Sequence, residues 1–299
     1  MSEAKDLYLY KRKGSYIPRV AAVHDLCGYG KCSLGVAIPV LSAAGCDVCP
    51  VPTSLFSAHT KFPSFYMHDT TDMLDGYLDA WVEEKIELDA IYSGFLGSAV
   101  QVDAINRLYR EHPGALRVVD PVMGDGGQKY PTYTDEMCEA TAQLVDGADL
   151  LTPNLTEASI LTHIPYQGQD AGEAYVERVT DTLLGMGAKS VVLKGIARSD
   201  GKIRNYLIGR DFGLVEVVKE QLPYMLHGTG DLYASSLLAA IMSGRSLLDA
   251  VRFASDFVYD AMFATRSQPD FDLRGVSFEG VLGEVTDLLR RWLDRKSVV

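Results

Sequence analysis

The 299 residues are 47% hydrophobic and 23% charged, enough apolar chain for a full core in one large α/β domain or two small ones. A formal net charge of -12 speaks against nucleic acid or an anionic membrane surface as partner, and no run approaches the roughly 18 apolar residues of a membrane span. The opening MSEAKDLYLYKRKGSYIP lacks the apolar core of a secretory signal, and five cysteines form an odd, thinly spread set that suits reduced thiols, so the expected address is cytoplasmic.

Residues 1–18 read as a polar arm. From Arg19 onward, short β-branched runs alternate with amphipathic stretches. Strands are expected at Val20–His24, Cys46–Pro52, Ala90–Ser93, Leu116–Asp120, Leu150–Thr152, Ser190–Lys194, Asn205–Ile208 and Leu214–Val218. Helices are expected at 33–44, 70–84, 98–111, 133–147, 155–162 and 170–186, and three more close the chain at 231–243, 247–265 and 278–295. The 205–218 pair reads as a hairpin; the rest predicts a mostly parallel sheet with helices on both faces. With no repeat or low-complexity linker, residues 19–299 read as a single domain.

In open parallel sheets, ligands sit beyond the carboxyl ends of the strands. Five of the expected strands end there in polar groups: His24-Asp25, Ser93-Gly94, the run Asp120 to Asp125, Thr152-Pro153-Asn154 and Lys194-Gly195. Asp120 and Asp125 cannot both be buried without counter-charge, which a divalent ion such as Mg²⁺ with phosphate would supply; the alternative is a Pro-Gly turn with two solvated acids. Thr152, Asn154 and Glu157 offer further oxygen ligands, and Asn154 with Glu157 also has capping-box spacing. Lys194 can meet a phosphate or stand as a surface lysine.

Cys46 and Cys49 form a C-x-x-C, but on an expected strand and without a second pair they read as strand cysteines rather than a redox or zinc motif. Gly28-Tyr29-Gly30-Lys31-Cys32-Ser33 lacks the third glycine and the ribose-reading acid of a dinucleotide fingerprint, and no Walker-type phosphate loop occurs. Ser57–Phe62 lies in a long loop dense with aromatics that can cover an aromatic substrate or pack as surface. Late in the chain His227-Gly228-Thr229-Gly230-Asp231 runs into an apolar helix. Two glycines there let backbone amides face an anion at a helix start, with one carboxylate placed to accept a proton from an attacking hydroxyl. A plain capped turn is the alternative.

HGTGD with its helix, together with DPVMGD at 120–125 and TPNLTE at 152–157, resembles the ribokinase superfamily. AVHDLCGYGKCSLGVAIPVLSAAG, SLFSAHT and IYSGFLGS narrow the resemblance to its pyridoxal/pyridoxamine kinase branch, over about Arg19 to residue 265. The resemblance implies a three-layer α/β/α ribokinase-like fold that transfers the ATP γ-phosphoryl group to the 5'-hydroxymethyl of a vitamin B6 vitamer. It implies Asp231 as base, Gly228, Thr229 and Gly230 as anion hole, and Asp120, Thr152, Asn154, Glu157, Lys194 and Gly195 around the ATP phosphates and nucleotide. Asp125 and Glu157 match Mg²⁺ positions, reached through water, while Asp25, His59, Thr60 and Phe95 match the substrate ring's surroundings. A homodimer and a monovalent cation such as K⁺ also belong to that expectation.

Two residues depart from the branch: Asp25 stands where Ser is usual, and Phe95 where Tyr is usual. Asp25 is expected to pair with a positive group of the substrate, the ring nitrogen or the 4'-ammonium of pyridoxamine. The competing expectations are a hydroxymethylpyrimidine kinase of the same fold and a non-catalytic ligand sensor on a kinase scaffold. Residues 266–299 read as helix and connector without assignable chemistry.

Overall fold

The computed structural model describes residues 7–293. The first half of the chain forms β1 (Arg19–Cys27), α1 (Leu34–Ala43), β2 (Asp47–Phe56), β3 (Met67–Asp69), α2 (Thr71–Glu83), β4 (Ala90–Ser93), α3 (Gln101–Glu111), β5 (Leu116–Val119), the short pair β6 (Gly124–Asp125) and β7 (Gln128–Lys129), and α4 (Asp135–Ala142). There follow β8 (Leu150–Leu151), α5 (Leu155–Thr162), α6 (Glu173–Gly185), β9 (Ser190–Ala197), β10 (Lys202–Gly209) and β11 (Phe212–Glu220). The closing helices are α7 (Thr229–Met242), α8 (Leu247–Thr265), α9 (Phe271–Arg274) and α10 (Gly283–Leu293).

Nine strands make one sheet in the order β11-β10-β9-β8-β5-β4-β1-β2-β3. Its centre, from β9 to β2, is parallel, and the antiparallel pairs lie at the two edges. Strands buried on both faces explain the continuous apolar runs. Along β1, Val20 and Ala22 join a cluster with α1, α7 and α8, while Ala21 and Val23 join a second cluster with α2, α3, α5 and α6. The alternation of a strand thus feeds two cores and fixes three layers.

Several boundaries differ from expectation, each for a local reason. β1 runs on to Cys27 through an irregularity: Thr53 and Ser54 of β2 oppose the single Asp25, between the pairs His24–Pro52 and Leu26–Leu55. Such a bulge re-aims a side chain at a sheet end. The expected helix 231–243 starts at Thr229, and the expected 133–147 breaks after Ala142 into a tighter turn over Gln143–Val145. β3, β6, β7 and α9 were not foreseen; each is four residues or fewer and has no measurable periodicity. The expected 278–295 divides into a turn at Glu279–Val281 and α10, with 294 and 295 outside the described residues. Cys46 lies just before β2 rather than on it, and all five cysteines are free.

Residues 7–18 of the arm are fastened to the body. Arg12 donates to the carbonyls of Ala44 and Gly45, and Tyr10 and Tyr16 both donate to Asp89. No helix among the described residues is long and apolar enough to cross a membrane.

Candidate active site

A cavity of about 470 Å³ opens at the carboxyl ends of the parallel strands, within the range of small-molecule sites. Every residue to which the family resemblance gives a role lines it except Thr152. Thr152 is fully buried behind the wall, and its hydroxyl donates to Asp120 Oδ1 at 3.1 Å. Its hydroxyl therefore orients the Asp120 carboxylate that faces the cavity.

The start of α7 shapes one end. Gly228 takes a left-handed conformation (φ 80°) as the residue before the helix, and a Cβ there would overlap the Lys31 carbonyl. No side chain caps this helix, so the amides of Thr229, Gly230 and Asp231 have no partner within it. The Thr229 hydroxyl is spent on the Leu226 carbonyl at 3.1 Å. Asp231 stands in the first turn with Oδ1 buried and unpartnered. Burial, with the nearby charges of Asp120 and Asp25, pushes its pKa up to about 7, against the pull of the Ser33 amide and Lys194.

Asp120 and Lys194 form a buried ion pair. This corrects the expectation of two acids awaiting a metal: only Asp120 is buried and Lys194 supplies its counter-charge, whereas Asp125 is exposed. Burial pulls the Lys194 pKa down, but Asp120 and Glu157 outweigh it, so the net shift is upward. Lys194 also leans against the Gly228–Gly230 turn, since a Cβ on Gly230 would sit 3.6 Å from its Nζ. Gly195 next to it turns left-handed (φ 72°) and donates its amide to Asn205 Oδ1 at 2.8 Å.

Asn154 and Glu157 close a capping box on α5: Glu157 N–H donates to Asn154 Oδ1 at 2.9 Å, and Asn154 N–H donates to Glu157 Oε2 at 2.7 Å. Glu157 Oε1 accepts from Met123 N–H at 3.4 Å, and Asn154 Nδ2 donates to the Gly124 carbonyl at 2.9 Å. The helix start is thereby tied to the β6–β7 hairpin that carries Asp125. Burial and the neighbouring Asp120 raise the Glu157 pKa to about 8 despite Lys194.

The other end is made of the bulged tip of β1, the end of β2 and the loops that follow them. Asp25 is buried at the bulge, and burial lifts its pKa to about 6 against hydrogen bonds from Ser33 and Cys27. His59 packs at a tilt against His227, ring centroids 4.1 Å apart, and against Phe62 at 4.6 Å. Its Nδ1 accepts from Lys61 N–H at 3.2 Å, which leaves the proton on Nε2. Thr60 is exposed beside it. Phe95 meets Phe56 and Tyr133 edge-on, both at 5.8 Å.

Sequence reasoning missed His227, Cys27, Cys32 and Ser33 as cavity lining, and it missed the bracing of this end by the C-terminal segment. Lys31 N–H donates to the Arg274 carbonyl at 3.2 Å, Val276 N–H donates to the His227 carbonyl at 3.0 Å, and the Arg274 guanidinium lies 4.9 Å from the Tyr29 ring centre. Lys31 also pairs with Glu279. Residues 274–279 thus hold the loop that covers the cavity. Only tertiary contact reveals this, because Tyr29 and Lys31 lie more than 200 positions from Arg274 and Glu279.

Residues 37–270 match the model of the phosphomethylpyrimidine kinase family. A protein of Bordetella avium named pyridoxine/pyridoxal/pyridoxamine kinase is 32% identical over 83% of this chain and 85% of its own length. The chain belongs to the pyridoxal kinase family of the ribokinase-like superfamily. Among solved structures, a Bacteroides thetaiotaomicron protein crystallised with pyridoxal superposes with a TM-score of 0.86 at 33% identity, covering 90% of this chain and 96% of that one. Pyridoxal kinase from Lactobacillus plantarum gives 0.85 at 27% identity, covering 92% and 99%. The α/β fold of this family is therefore the fold described above.

Proposed function

We propose that the protein is a vitamin B6 kinase, transferring the γ-phosphoryl group of ATP to the 5'-hydroxymethyl of pyridoxal, pyridoxine or pyridoxamine in salvage toward pyridoxal 5'-phosphate. One observation carries the reading. The Asp231 carboxylate, its pKa raised to about 7, shares one cavity with an uncapped helix start and a buried lysine. A base tuned near neutrality serves proton removal from an alcohol, and fixed amides serve the charge of a moving phosphoryl group without reorganising. The relatives named as pyridoxal kinases support the substrate class.

Asp231 takes the proton of the 5'-hydroxyl. The amides of Thr229 and Gly230, with the turn at Gly228, hold the transferring phosphoryl oxygens, and Lys194 faces them from the other side. Asp120 keeps that lysine charged, and Asn154 and Gly195 line the nucleotide side. The donor set fits a hard cation, since Asp120 Oδ2 is buried without a partner and the exposed Asp125 carboxylate is held in place by the Gly126 amide on its Oδ1 at 2.8 Å. Asp125 and Glu157 would hold Mg²⁺ through water, and the bound ion neutralises phosphate charge against the acidic chain. At the alcohol end His59 and Thr60 cover the pyridine ring, Phe95 packs on it, and Asp25 meets a positive group of the substrate.

We assign a homodimer as the assembly. Leu26 and Leu55, paired across β1 and β2, are 39% and 41% exposed beside exposed Phe65 and Tyr66, an apolar strip that a second copy can cover. The free cysteines are in keeping with a cytoplasmic address.

The test is purified protein with Mg·ATP and a panel of the three vitamers plus hydroxymethylpyrimidine, products identified by mass. A B6 5'-phosphate is the expected product. Phosphorylation of hydroxymethylpyrimidine alone would reassign the substrate, and ligand binding without turnover would make the chain a sensor.

A further inference from the structure

Cys27 ends β1 and Cys32 precedes the Ser33 that opens α1, so the two thiols bracket the loop Gly28–Lys31. Asp25 lies two residues upstream on the bulge. A carboxylate oxygen of Asp25 and both sulfurs fall within 4.8 Å of one another, and Cys27 Sγ is 3.5 Å from Asp25 Oδ2. All three residues line the cavity. The frame around them is braced: Gly28 N–H donates to the Phe56 carbonyl at 2.8 Å, Lys31 N–H donates to the Arg274 carbonyl at 3.2 Å, and the Lys31 carbonyl packs on Gly228.

Two sulfurs and one carboxylate make a donor set that selects Zn²⁺ and similar thiophilic ions over Mg²⁺. Tetrahedral bonds of about 2.0–2.3 Å place ligand atoms about 3.3–3.8 Å apart, a spacing the Asp25–Cys27 contact already has. Three protein ligands leave a fourth position for a small molecule or water, and all three residues line the cavity. We propose that Asp25, Cys27 and Cys32 form a thiophilic-cation site, and that an ion bound there shuts out the alcohol substrate. The binding stands on the donor geometry alone; the competition rests on the proposed kinase reading. Coordination forms two metal–sulfur bonds and one metal–oxygen bond, and the two thiol protons pass to solvent, so no oxidant is required.

The test uses the full chain, stripped of metal and kept reduced, titrated with Co²⁺ in the absence of nucleotide. A sulfur-to-cobalt charge-transfer band saturating at one ion per chain is expected, with Zn²⁺ displacing it. Cys27→Ser and Cys32→Ser should each weaken binding by at least about tenfold with an unchanged thermal midpoint, while Cys49→Ser keeps the band. In turnover assays at buffered free Zn²⁺, the ion should raise KM for the B6 alcohol in the unmodified protein and not in Cys32→Ser. Absence of the band, or its survival in both Cys27→Ser and Cys32→Ser, overturns the site. A normal band with no effect on KM overturns the competition and leaves the site standing. A chain that binds Co²⁺ but phosphorylates no vitamer overturns the kinase reading instead.

Discussion

At the proposed phosphoryl end of the cavity the polar and charged groups stand on strand tips and in the first turns of helices: Asp120 follows β5, Lys194 lies on β9, Asn154 caps α5 and Asp231 sits in the first turn of α7. An ion pair and a capping box lock them before any ligand arrives. At the proposed alcohol end loops join the tips of β1 and β2, and the His59 stretch is held by its ring contact to His227 and by its amide on the Tyr29 carbonyl. Rigid elements suit electrostatic stabilisation, where a small displacement is costly, and loops suit selection among related alcohols. Substitutions at the first end should therefore act on rate and stability, and those at the second on KM and substrate choice.

The largest effect belongs to Asp231→Asn. It should lower kcat by about 10²–10⁴ while calorimetry shows unchanged Mg·ATP affinity; an equal loss of ATP binding would assign Asp231 to nucleotide binding. The same change should stabilise the ligand-free protein. A carboxylate whose folded-state pKa is raised contributes stability at low pH that is lost as pH climbs through the raised value. With Asp25 at about 6, Asp231 at about 7 and Glu157 at about 8, the unfolding midpoint should fall between about pH 5 and 8, less steeply in the variant.

Next comes Lys194→Ala, which leaves the buried Asp120 charge alone. The expected cost of about 3–5 kcal/mol is a drop of roughly 5–8 °C in Tm for a chain of this size, read by calorimetry. A shift under about 2 °C would show that the pair does not anchor this end. At the loop end, Asp25→Ser should change kcat/KM for pyridoxamine relative to pyridoxal by about tenfold to a hundredfold, and an unchanged ratio removes Asp25 from recognition. The smallest effect is His59→Ala, with KM for the alcohol up about tenfold and kcat within about twofold. A matching fall in kcat would tie the loop to the chemistry.

The same contrast explains what the sequence disclosed. Apolar runs such as Val20–Val23 and Val191–Leu193 carry the parallel sheet, and polar residues at their carboxyl ends mark the phosphoryl end, because strand period and strand tip are local properties. Helices 155–162 and 247–265 agree to the residue with α5 and α8, each opened by a side-chain cap at Asn154 or Ser246. The β6–β7 hairpin was overlooked although Gly126 and Gly127, both at positive φ (58° and 81°), are the turn pair that such hairpins require. Counter-charge was assigned to a metal because sequence cannot show Lys194 folding onto Asp120, 74 positions away. The packing of His59 against His227 and the bracing by Arg274 are long-range in the same way. Thr152 was misplaced by its neighbours, since strand tips alternate between facing the cavity and backing it.

The central claim is that Asp231 removes the hydroxyl proton, and the pH dependence of kcat/KM for the B6 alcohol tests it most directly once the substrate's own ionisation is divided out. Because the raised pKa leaves Asp231 protonated in acid, the rate should climb with pH and level off above about 7, and Asp231→Asn should lack this limb. A flat profile in the unmodified protein, or the same limb retained in the variant, would contradict the account.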